Sequence, residues 1–490
     1  MSCVLAFDLG GSSLRGGLVD GTGAIVALRS VASSAGRSAE ADPETWWRDL
    51  VDLADALAAA NPAAFAATTA IAISAFTRTQ VFLDAGGRPT HPALLWHDSR
   101  AETFVEILRA ACPAGHPEAA RINAYHPAAR LLWLARMMPD AFARTAHVVE
   151  PKDWLNFRLT GVLAGDSVSL ARLAAAAAPA GRSILAAIGV AESLVPALRD
   201  PVSVMGHAVA GLPGALRDLA GCPVVTMAND TWAAVAGLGA LQPGLAYNIS
   251  GTTEVLGLVA GHPATAEGLL DVVWGPDLHQ LGGPGQNGAD TLAWILDLLG
   301  RRGDAGAAIE TLLAEPRSDA PVLFLPFLQG ERVPFWDANL RGAFVGLNRQ
   351  HRAVDLAFAV MEGIAFLNRI VLERAEAGAG LRARELRFGG GGAANVAWCR
   401  IKADILDRPV VAPAVEEPGL LGAAVVARVA CGDYPTLAAA QEALVRPGRR
   451  YEPDPTRRAS FDRLHAEFRQ AHDALAPVSR RLATWAADRR

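Results

Sequence analysis

Cysteine is scarce in this chain of 490 residues, and the few cysteines are not paired. No two of them form a Cys-x-x-Cys motif, and they are scattered along the chain as Cys3, Cys112, Cys222, Cys399 and Cys431. Such spacing indicates neither a disulfide framework nor a zinc site. It favours a reducing, cytoplasmic environment.

Long apolar runs and an excess of positive charge are also missing. No stretch approaches the roughly 20 uninterrupted apolar residues of a membrane helix, and no basic leader precedes the first apolar run. The net charge of -5 gives no support for nucleic-acid binding, which requires a basic face. We therefore expect a cytoplasmic protein that binds neither nucleic acid nor a membrane.

What the chain has is ample apolar material and a regular alternation of element types. Hydrophobic residues make up 51% and charged residues 19% of a chain that is too long for one core. Strand-like and helix-like patterns alternate throughout, which is typical of an α/β fold. Glycine and proline cluster at residues 237–244, so we predict two domains, 1–240 and 241–490.

Each predicted domain begins with a strand, a turn rich in glycine and hydroxyl groups, and a second strand. The first turn is Gly10, Gly11, Ser12 and Ser13, and the second is Gly251, Thr252 and Thr253. Backbone N–H groups without a crowding Cβ, together with hydroxyl donors, can bind phosphate oxygens. Plain hairpins would show the same pattern. Two such turns favour a phosphotransferase, and the chain contains no Walker-type G-x-x-x-x-G-K-[ST] loop.

Three charged residues near these turns have both a catalytic and a structural interpretation. Asp230 precedes a predicted helix, where it is a general base or simply an N-cap, two roles that are compatible. Asp8 ends a strand, where it holds Mg²⁺ through water or hydrogen-bonds its own loop. Arg15 either stabilises phosphate charge or is a solvated strand residue.

A run of four glycines, residues 389–392, precedes a predicted helix in the second half. A tight turn needs one or two glycines. Bare backbone at Gly390, Gly391, Gly392 and Ala393 would let an adenosine group approach closely, with Asn395 offering hydrogen bonds.

Seven segments, in order along nearly the whole chain, resemble motifs of the FGGY family of carbohydrate kinases. They are Phe7–Arg15, Leu95–Arg100, Pro151–Gly161, Ala228–Ala240, Gly251–Thr253, Pro326–Pro334 and Phe388–Ile405. The resemblance, nearest to the xylulose kinase-like branch, implies two ribonuclease-H-like (actin-like) domains with a cleft between them. It also implies ATP and Mg²⁺ as cofactors, with Asp8 and Asp230 serving the metal.

The activity implied by the resemblance is transfer of the γ-phosphoryl group to a hydroxyl of a small sugar or polyol. A ketose such as a pentulose is the favoured substrate, and Asp230 is the general base that also contacts it. Trp96 and Asp98 would line the sugar pocket, although Asp98 and Arg100 could equally form a structural ion pair. The family often has threonine in place of Gly11, so Ser12 or Ser13 would replace that hydroxyl.

Because of Arg78, the sequence does not identify the substrate. Xylulose kinases usually have a histidine at the corresponding position, so xylulose does not follow from the motif. Arg78 would meet a carboxylate or an oxygen-rich end of the substrate, or would pair with a neighbouring acid.

Other functions remain as alternatives at this stage. Within the same chemistry, the substrate would be an aldonate or a tetritol- or glycerol-type polyol. From other classes, the chain would be an actin-like or heat-shock-type ATPase, or a non-catalytic sugar-binding regulator. A homodimer is the candidate assembly.

Overall fold

The computed structural model describes residues 2–33, 38–178, 181–275, 277–301 and 305–487. The chain forms two compact units. The first comprises residues 1–237 and 417–445, and the second comprises residues 238–416 and 446–490.

The first unit is built on a six-stranded mixed sheet. Its strands, in spatial order, are Val204–His207, Pro223–Val225, Thr68–Ala75, Cys3–Leu9, Ser13–Val19 and Ile25–Ala32. The second, third and fourth of these run parallel to one another, and the outer strands pair antiparallel.

The remaining strands of the first unit form three short pairs. The pairs are Glu40–Ala41 with Ala93–Leu94, Val81–Leu83 with His147–Val149, and Ala164–Asp166 with Ala197–Arg199. Its α-helices are Pro43–Ala60, Pro62–Ala66, Val105–Ala111, Pro127–Met137, Pro139–Arg144, Pro151–Thr160, Ala171–Ala177, Ile184–Ala187, Asp230–Gly237, Pro418–Ala430 and Leu437–Leu444. Its 3₁₀ turns are Arg100–Phe104, Ala119–Arg121, Glu192–Leu194 and Gly214–Leu219.

The second unit is built on a seven-stranded mixed sheet. Its strands, in spatial order, are Leu270–Gly275, Leu278–Pro284, Glu254–Ala260, Ala246–Ser250, Leu386–Gly389, Val410–Pro413 and Pro447–Tyr451. Leu323–Leu325 and Ala343–Val345 form a separate pair. The helices are Ala289–Leu298, Ala305–Leu313, Ala353–Ala379, Val396–Leu406 and Arg458–Ala487, with a 3₁₀ turn at Gly391–Ala394.

The two sheets share one local pattern, as the paired turns in the sequence predict. In each, the first strand of the unit pairs antiparallel with the next strand in the chain and parallel with a later strand. The predicted α/β class and the strand–turn–strand start of each half are confirmed. The predicted cleft stays a prediction.

Local sequence signals account for where several elements begin. The helix Pro43–Ala60 starts where proline and an N-cap predict it, and the Asp42 carboxylate accepts a hydrogen bond from the Glu44 N–H at 3.0 Å. Its apolar residues at helical spacing, Trp46, Leu50 and Leu57, are buried. The helical spacing predicted near the C-terminus is also present, with Phe461 and Phe468 buried on the helix Arg458–Ala487.

One segment is placed differently from the predicted division of the chain. Residues 417–445 fall within the predicted second domain, but in the structure they belong to the first unit. The helix Pro418–Ala430 packs tightly on the helix Asp230–Gly237, because both carry glycine where they cross. A Cβ added at Gly422 would lie 1.7 Å from the Ala233 carbonyl oxygen. The assignment of functions to residues 1–240 and 241–490 stays a prediction.

Among the described residues, every helix is too short or too polar to cross a membrane.

Candidate functional site

The parallel strands of the first sheet bring candidate residues to one edge. The strands Cys3–Leu9, Thr68–Ala75 and Pro223–Val225 end at the same edge because they run parallel. Asp8 lies at the end of the first strand, and Asp230 follows the last. The carboxyl edge of parallel strands is a frequent position for ligand sites in α/β proteins.

Asp8 is held by the neighbouring strand rather than by its own turn. The Ser74 hydroxyl donates a hydrogen bond of 2.8 Å to Asp8 Oδ1. On the other side, a Cβ added at Gly419 would lie 2.6 Å from Asp8 Oδ2. Burial raises the pKa of Asp8 above its ordinary value.

Asp230 is close enough to Asp8 for their charges to interact. Burial, followed by the negative charge of Asp8, raises the pKa of Asp230 to about 7. The N-cap interpretation of Asp230 is wrong. The Asn229 side chain accepts the Trp232 N–H at 3.0 Å, and Asp230 is already the first helical residue.

The first glycine turn is tightly closed. The Gly10 N–H donates to the Ser13 carbonyl oxygen at 2.9 Å. A Cβ at Gly11 would lie 2.7 Å from Trp96 Cη2, so glycine at this position gives the tryptophan ring its space. The Ser12 side chain is exposed.

Arg15 has a protein partner. Its guanidinium lies 3.1 Å from Glu417 Oε2, so it is not simply a solvated strand residue. The positive charge of Arg15 also acts on Asp8 and opposes the rise of the Asp8 pKa. A role of Arg15 toward phosphate stays a prediction.

The two predicted substrate residues of the Trp-His-Asp-Ser-Arg segment differ in exposure. The Trp96 ring is partly exposed and lies 4.9 Å from the Phe76 ring. Asp98 is buried, with its Oδ2 atom 2.6 Å from Arg100 Nε. The structural ion pair between Asp98 and Arg100 is therefore present. Contact of Trp96 or Asp98 with substrate stays a prediction.

Arg78 lies in a turn just beyond the central parallel strand. Its φ of 59° is in the left-handed region, which is uncommon for a side chain other than glycine. The Glu150 carboxylate accepts the N–H groups of Arg78 and Thr79 at 3.0 and 3.2 Å. The Arg130 guanidinium donates to the carbonyl oxygens of Arg78 and Asp98 at 2.5 and 2.9 Å.

A second arginine lies within electrostatic range of Arg78. Burial, and then the positive charge of Arg78, lower the pKa of Arg172. Two neighbouring guanidinium groups would suit an oxygen-rich or negatively charged group.

In the second unit, the turn after Ala246–Ser250 is exposed and leads toward a helix. Gly251 and Thr252 are exposed, and Thr253 is partly exposed. The Gly251 carbonyl oxygen accepts the N–H of Ala289, the first residue of the helix Ala289–Leu298. Phosphate binding at this turn stays a prediction.

The glycine run of the second unit lies against the strand that precedes this turn. Gly390 has a φ of 81°, and a Cβ there would lie 2.3 Å from the Ser250 carbonyl oxygen. Gly391 has nothing within 4 Å of an added Cβ, whereas Gly392 and Ala393 are buried. This arrangement leaves bare backbone exposed at Gly390 and Gly391.

Two details differ from the sequence-based description of this run. The glycines do not lead directly into the helix, because the 3₁₀ turn Gly391–Ala394 intervenes. Asn395 caps the helix Val396–Leu406, since its side-chain oxygen accepts the Trp398 N–H at 2.8 Å. Nucleotide contacts of Asn395 stay a prediction.

A buried polar network joins the two motifs of the second unit. Lys402 Nζ lies 3.0 Å from Glu254 Oε1 and also donates to the Asn368 side chain. Asn368 in turn donates to Glu254 Oε2 at 2.7 Å. Glu254 directly follows the turn Gly251–Thr253, and Lys402 lies on the helix after the glycine run. The network thus fixes one motif relative to the other.

The residues present fit a magnesium nucleotide. Asp8 and Asp230 supply two interacting carboxylates, which a cation would neutralise. Among the described residues, no group of three His, Cys, Asp or Glu side chains could hold a metal ion. Magnesium would therefore take its remaining ligands from water and phosphate oxygens, as is usual for this ion.

Sequence reasoning missed the residues that hold the predicted site residues in place. These are Ser74, Arg130, Glu150, Asn229, Glu417 and Gly419. Glu150 directly precedes the recognisable segment Pro151–Gly161. In the sequence, Arg130 interrupts an apolar helical run. A charged residue on a buried helix face is usually paired, so this interruption indicated that Arg130 has a partner in the core.

The chain is similar to known proteins over nearly its whole length. The model of the FGGY family of carbohydrate kinases, N-terminal domain, matches residues 3–237, and that of the C-terminal domain matches residues 246–431. A glycerol kinase from Methylibium petroleiphilum is 31% identical, covering 97% of this chain and 100% of the relative. A xylulose kinase from Lactococcus lactis is 25% identical, covering 98% and 99%.

A solved structure extends the comparison to the fold. The xylulose kinase from Rhodospirillum rubrum matches with a TM-score of 0.84 and 25% identity, covering 97% of this chain and 99% of that one. The predicted actin-like architecture with two domains is confirmed.

Proposed function

Since the chain belongs to the FGGY family of carbohydrate kinases, we propose that it transfers the γ-phosphoryl group of ATP to a hydroxyl of a small sugar or polyol, with Asp230 as the general base. The supporting observation is the interacting pair Asp8 and Asp230 at the carboxyl edge of three parallel strands. The alternative of a heat-shock-type ATPase without sugar kinase activity is not favoured by the family match.

The environment of Asp230 suits proton transfer. A sugar hydroxyl must lose its proton as it attacks phosphorus, and a carboxylate with a pKa of about 7 is matched to a neutral working pH. The hydrogen bond from the Thr231 N–H at 2.6 Å fixes the orientation of Oδ1.

The glycine turns supply the groups that ATP needs. The N–H groups of Gly10 and Gly251 close the two turns, so the other N–H and hydroxyl donors of residues 10–13 and 251–253 would bind phosphate oxygens, and Arg15 would add positive charge. The exposed bare backbone at Gly390 and Gly391, which Gly392 and Ala393 support from beneath, would accept the adenosine, with Asn395 beside it. Asp8 and Asp230 would hold magnesium, which when bound neutralises charge on the phosphates.

The substrate in this proposal is a short ketose, such as a pentulose, contacted by Trp96, Asp98, Arg78 and Asp230. ADP release measured with xylulose, glycerol and gluconate tests it, and we expect xylulose, the ketose among them, to raise the rate of ATP turnover well above the rate without acceptor and further than the other two do. Equal turnover with and without every sugar would contradict the proposal.

Replacement of the proposed base gives a second test. Asp230→Asn removes the proton acceptor but keeps the size of the side chain. We expect kcat to fall by at least about 100-fold, with the affinity for ADP in the absence of magnesium unchanged. The measurement is steady-state turnover together with calorimetric titration of ADP. Turnover close to that of the unmodified enzyme would exclude Asp230 as the base.

A further inference from the structure

The turn that carries Arg78 is held by a single buried carboxylate. Glu150 Oε1 accepts the Arg78 N–H at 3.0 Å and the Thr77 hydroxyl at 3.4 Å, and Oε2 accepts the Thr79 N–H at 3.2 Å. Glu150 is only 5% exposed. One side chain therefore accepts hydrogen bonds from three consecutive residues of the turn.

The conformation that Glu150 holds is an unfavourable one. Arg78 has a φ of 59°, in the left-handed region, where the Cβ of a residue other than glycine crowds the backbone. Glycine would adopt this backbone freely. The chain has an arginine there instead, and its side chain is exposed.

Glu150 is itself fixed in place. It is the N-cap of the helix Pro151–Thr160, and its own N–H donates to the Asp153 carboxylate at 3.2 Å. Asp153 pairs with Lys152, and Lys152 pairs with Asp166 at 2.6 Å. All of these side chains are buried, so the turn is anchored to a rigid ionic cluster.

The same turn is linked to the segment that contains Trp96 and Asp98. The guanidinium of Arg130, 1% exposed, donates to the Arg78 carbonyl oxygen at 2.5 Å and to the Leu95 carbonyl oxygen at 2.7 Å. Arg130 thus hydrogen-bonds to a carbonyl group of the turn, and Glu150 hydrogen-bonds to its N–H groups. Both proposed substrate segments share this support.

We infer that Glu150 is a positioning residue, which holds the backbone of Arg78 in the left-handed conformation so that its guanidinium meets the phosphoryl acceptor. The inference rests on the proposed function. It assigns to Glu150 an effect on acceptor binding through Arg78, and no contact with the acceptor or with ATP.

Glu150→Gln tests the inference, because the amide nitrogen of glutamine cannot accept the Thr79 N–H. We expect KM for the best acceptor among xylulose, glycerol and gluconate to rise about tenfold, equivalent to losing one buried hydrogen bond. KM for ATP and kcat should stay within about twofold. A fall in kcat with unchanged acceptor KM would overturn the inference.

Glu362→Gln is the matched control. Glu362 is also a buried carboxylate, 2% exposed, and its Oε2 atom accepts a hydrogen bond of 2.8 Å from the Arg317 guanidinium. It belongs to the second unit, whereas the turn that carries Arg78 belongs to the first. Acceptor KM should change by less than about twofold, and an equal rise in both variants would overturn the inference, because it would reflect the loss of any buried carboxylate.

A double-mutant cycle with Arg78→Gly separates positioning from stability. Glycine tolerates the left-handed backbone and removes the side chain, so acceptor KM should rise while thermal stability is retained. Adding Glu150→Gln to Arg78→Gly should then raise acceptor KM no further. Independent, multiplied effects of the two changes would overturn the inference.

A crystal structure of Glu150→Gln keeps the test independent of the proposed function. We expect the φ of Arg78 to leave the left-handed region, or the turn to lose its order. Retention of the present turn would overturn the inference even if the enzyme phosphorylates a sugar. If no acceptor is phosphorylated, the proposed function fails, and the crystal structure still decides the role of Glu150 in holding the turn.

Discussion

Gly11 gives the Trp96 ring its space in the candidate site. The family resemblance implies a hydroxyl side chain there, but any Cβ would lie 2.7 Å from Trp96 Cη2 and 3.1 Å from Cζ2. The indole ring, packed at 4.9 Å on Phe76, occupies the space instead. A phosphate-turn residue and a proposed sugar-contact residue are therefore coupled by direct packing.

Gly11→Ala should displace the Trp96 ring and so lower activity. A shift of about 1 Å at a reacting centre can cost about 100-fold in rate, so we expect kcat/KM for the acceptor to fall by about 10- to 100-fold. Trp96→Phe in the same chain should restore part of the loss, because the smaller ring leaves room for the methyl group. An unchanged kcat/KM in Gly11→Ala would contradict this coupling.

At the scale of elements, the helix pair Asp230–Gly237 and Pro418–Ala430 fixes the position of the proposed base. Gly237 and Gly422 let the two backbones touch, and an added Cβ at either would meet a carbonyl oxygen at 1.8 or 1.7 Å. The first turns of these helices carry Asp230, which interacts with Asp8 through charge, and Gly419, where an added Cβ would lie 2.6 Å from Asp8 Oδ2. A substitution where the two helices cross should therefore also displace Asp230 relative to Asp8.

Gly422→Ala should separate the two helices. Since the methyl group meets backbone that no side-chain rotation can move, we expect a loss of about 3 kcal/mol in the free energy of unfolding, the upper end for overpacking. Activity should fall as well. Denaturant unfolding measures the loss, and Ala430→Ser, at the partly exposed end of the same helix, is the control. Equal stabilities of the two variants would exclude a tight crossing.

At the scale of the whole molecule, each unit has its own sheet and its own hydrophobic core. In the second unit, the C-terminal helix Arg458–Ala487 completes the core by packing on the helix Ala353–Ala379. His465 lies in this contact, with its ring 5.9 Å from that of Phe366. Burial lowers the pKa of His465 from 6.5 to about 4.

The stability of the protein should therefore fall in mild acid. Below pH 6.5 the unfolded chain protonates His465, whereas the folded protein does not do so until about pH 4. The contribution of neutral His465 to stability is complete above pH 6.5 and is lost as the pH falls toward about 4. The charged groups near His465 are Glu373, Arg369, Arg469 and Asp462.

Thermal unfolding between these two pH values measures the effect. We expect the fall in Tm with acidification to be smaller in His465→Gln than in the unmodified protein. His262→Gln, an exposed histidine of the same unit, should leave the slope unchanged. Parallel Tm curves for all three proteins would show that His465 does not contribute.

Much of the fold could be predicted because its signals are local. An apolar run marked the first strand of each unit, and capping by Asp42 with proline marked the helix Pro43–Ala60. The cap at Asn229 was misassigned to Asp230 because the two polar residues are adjacent and both types favour that position. The placement of residues 417–445 was missed because helix packing against a distant segment leaves no local pattern.

By itself, the sequence determined the α/β class, the repeated strand–turn–strand start, the family and the positions of the candidate carboxylates, because these follow from local periodicity and short motifs. Only the tertiary structure decided which residues surround these positions. Ser74 and Gly419 flank Asp8. Glu150 and Arg130 hydrogen-bond the turn of Arg78, and Trp96 occupies the space beside Gly11. These contacts join residues far apart in the chain. They exist only once the strands and helices have packed, so no segment of sequence encodes them alone.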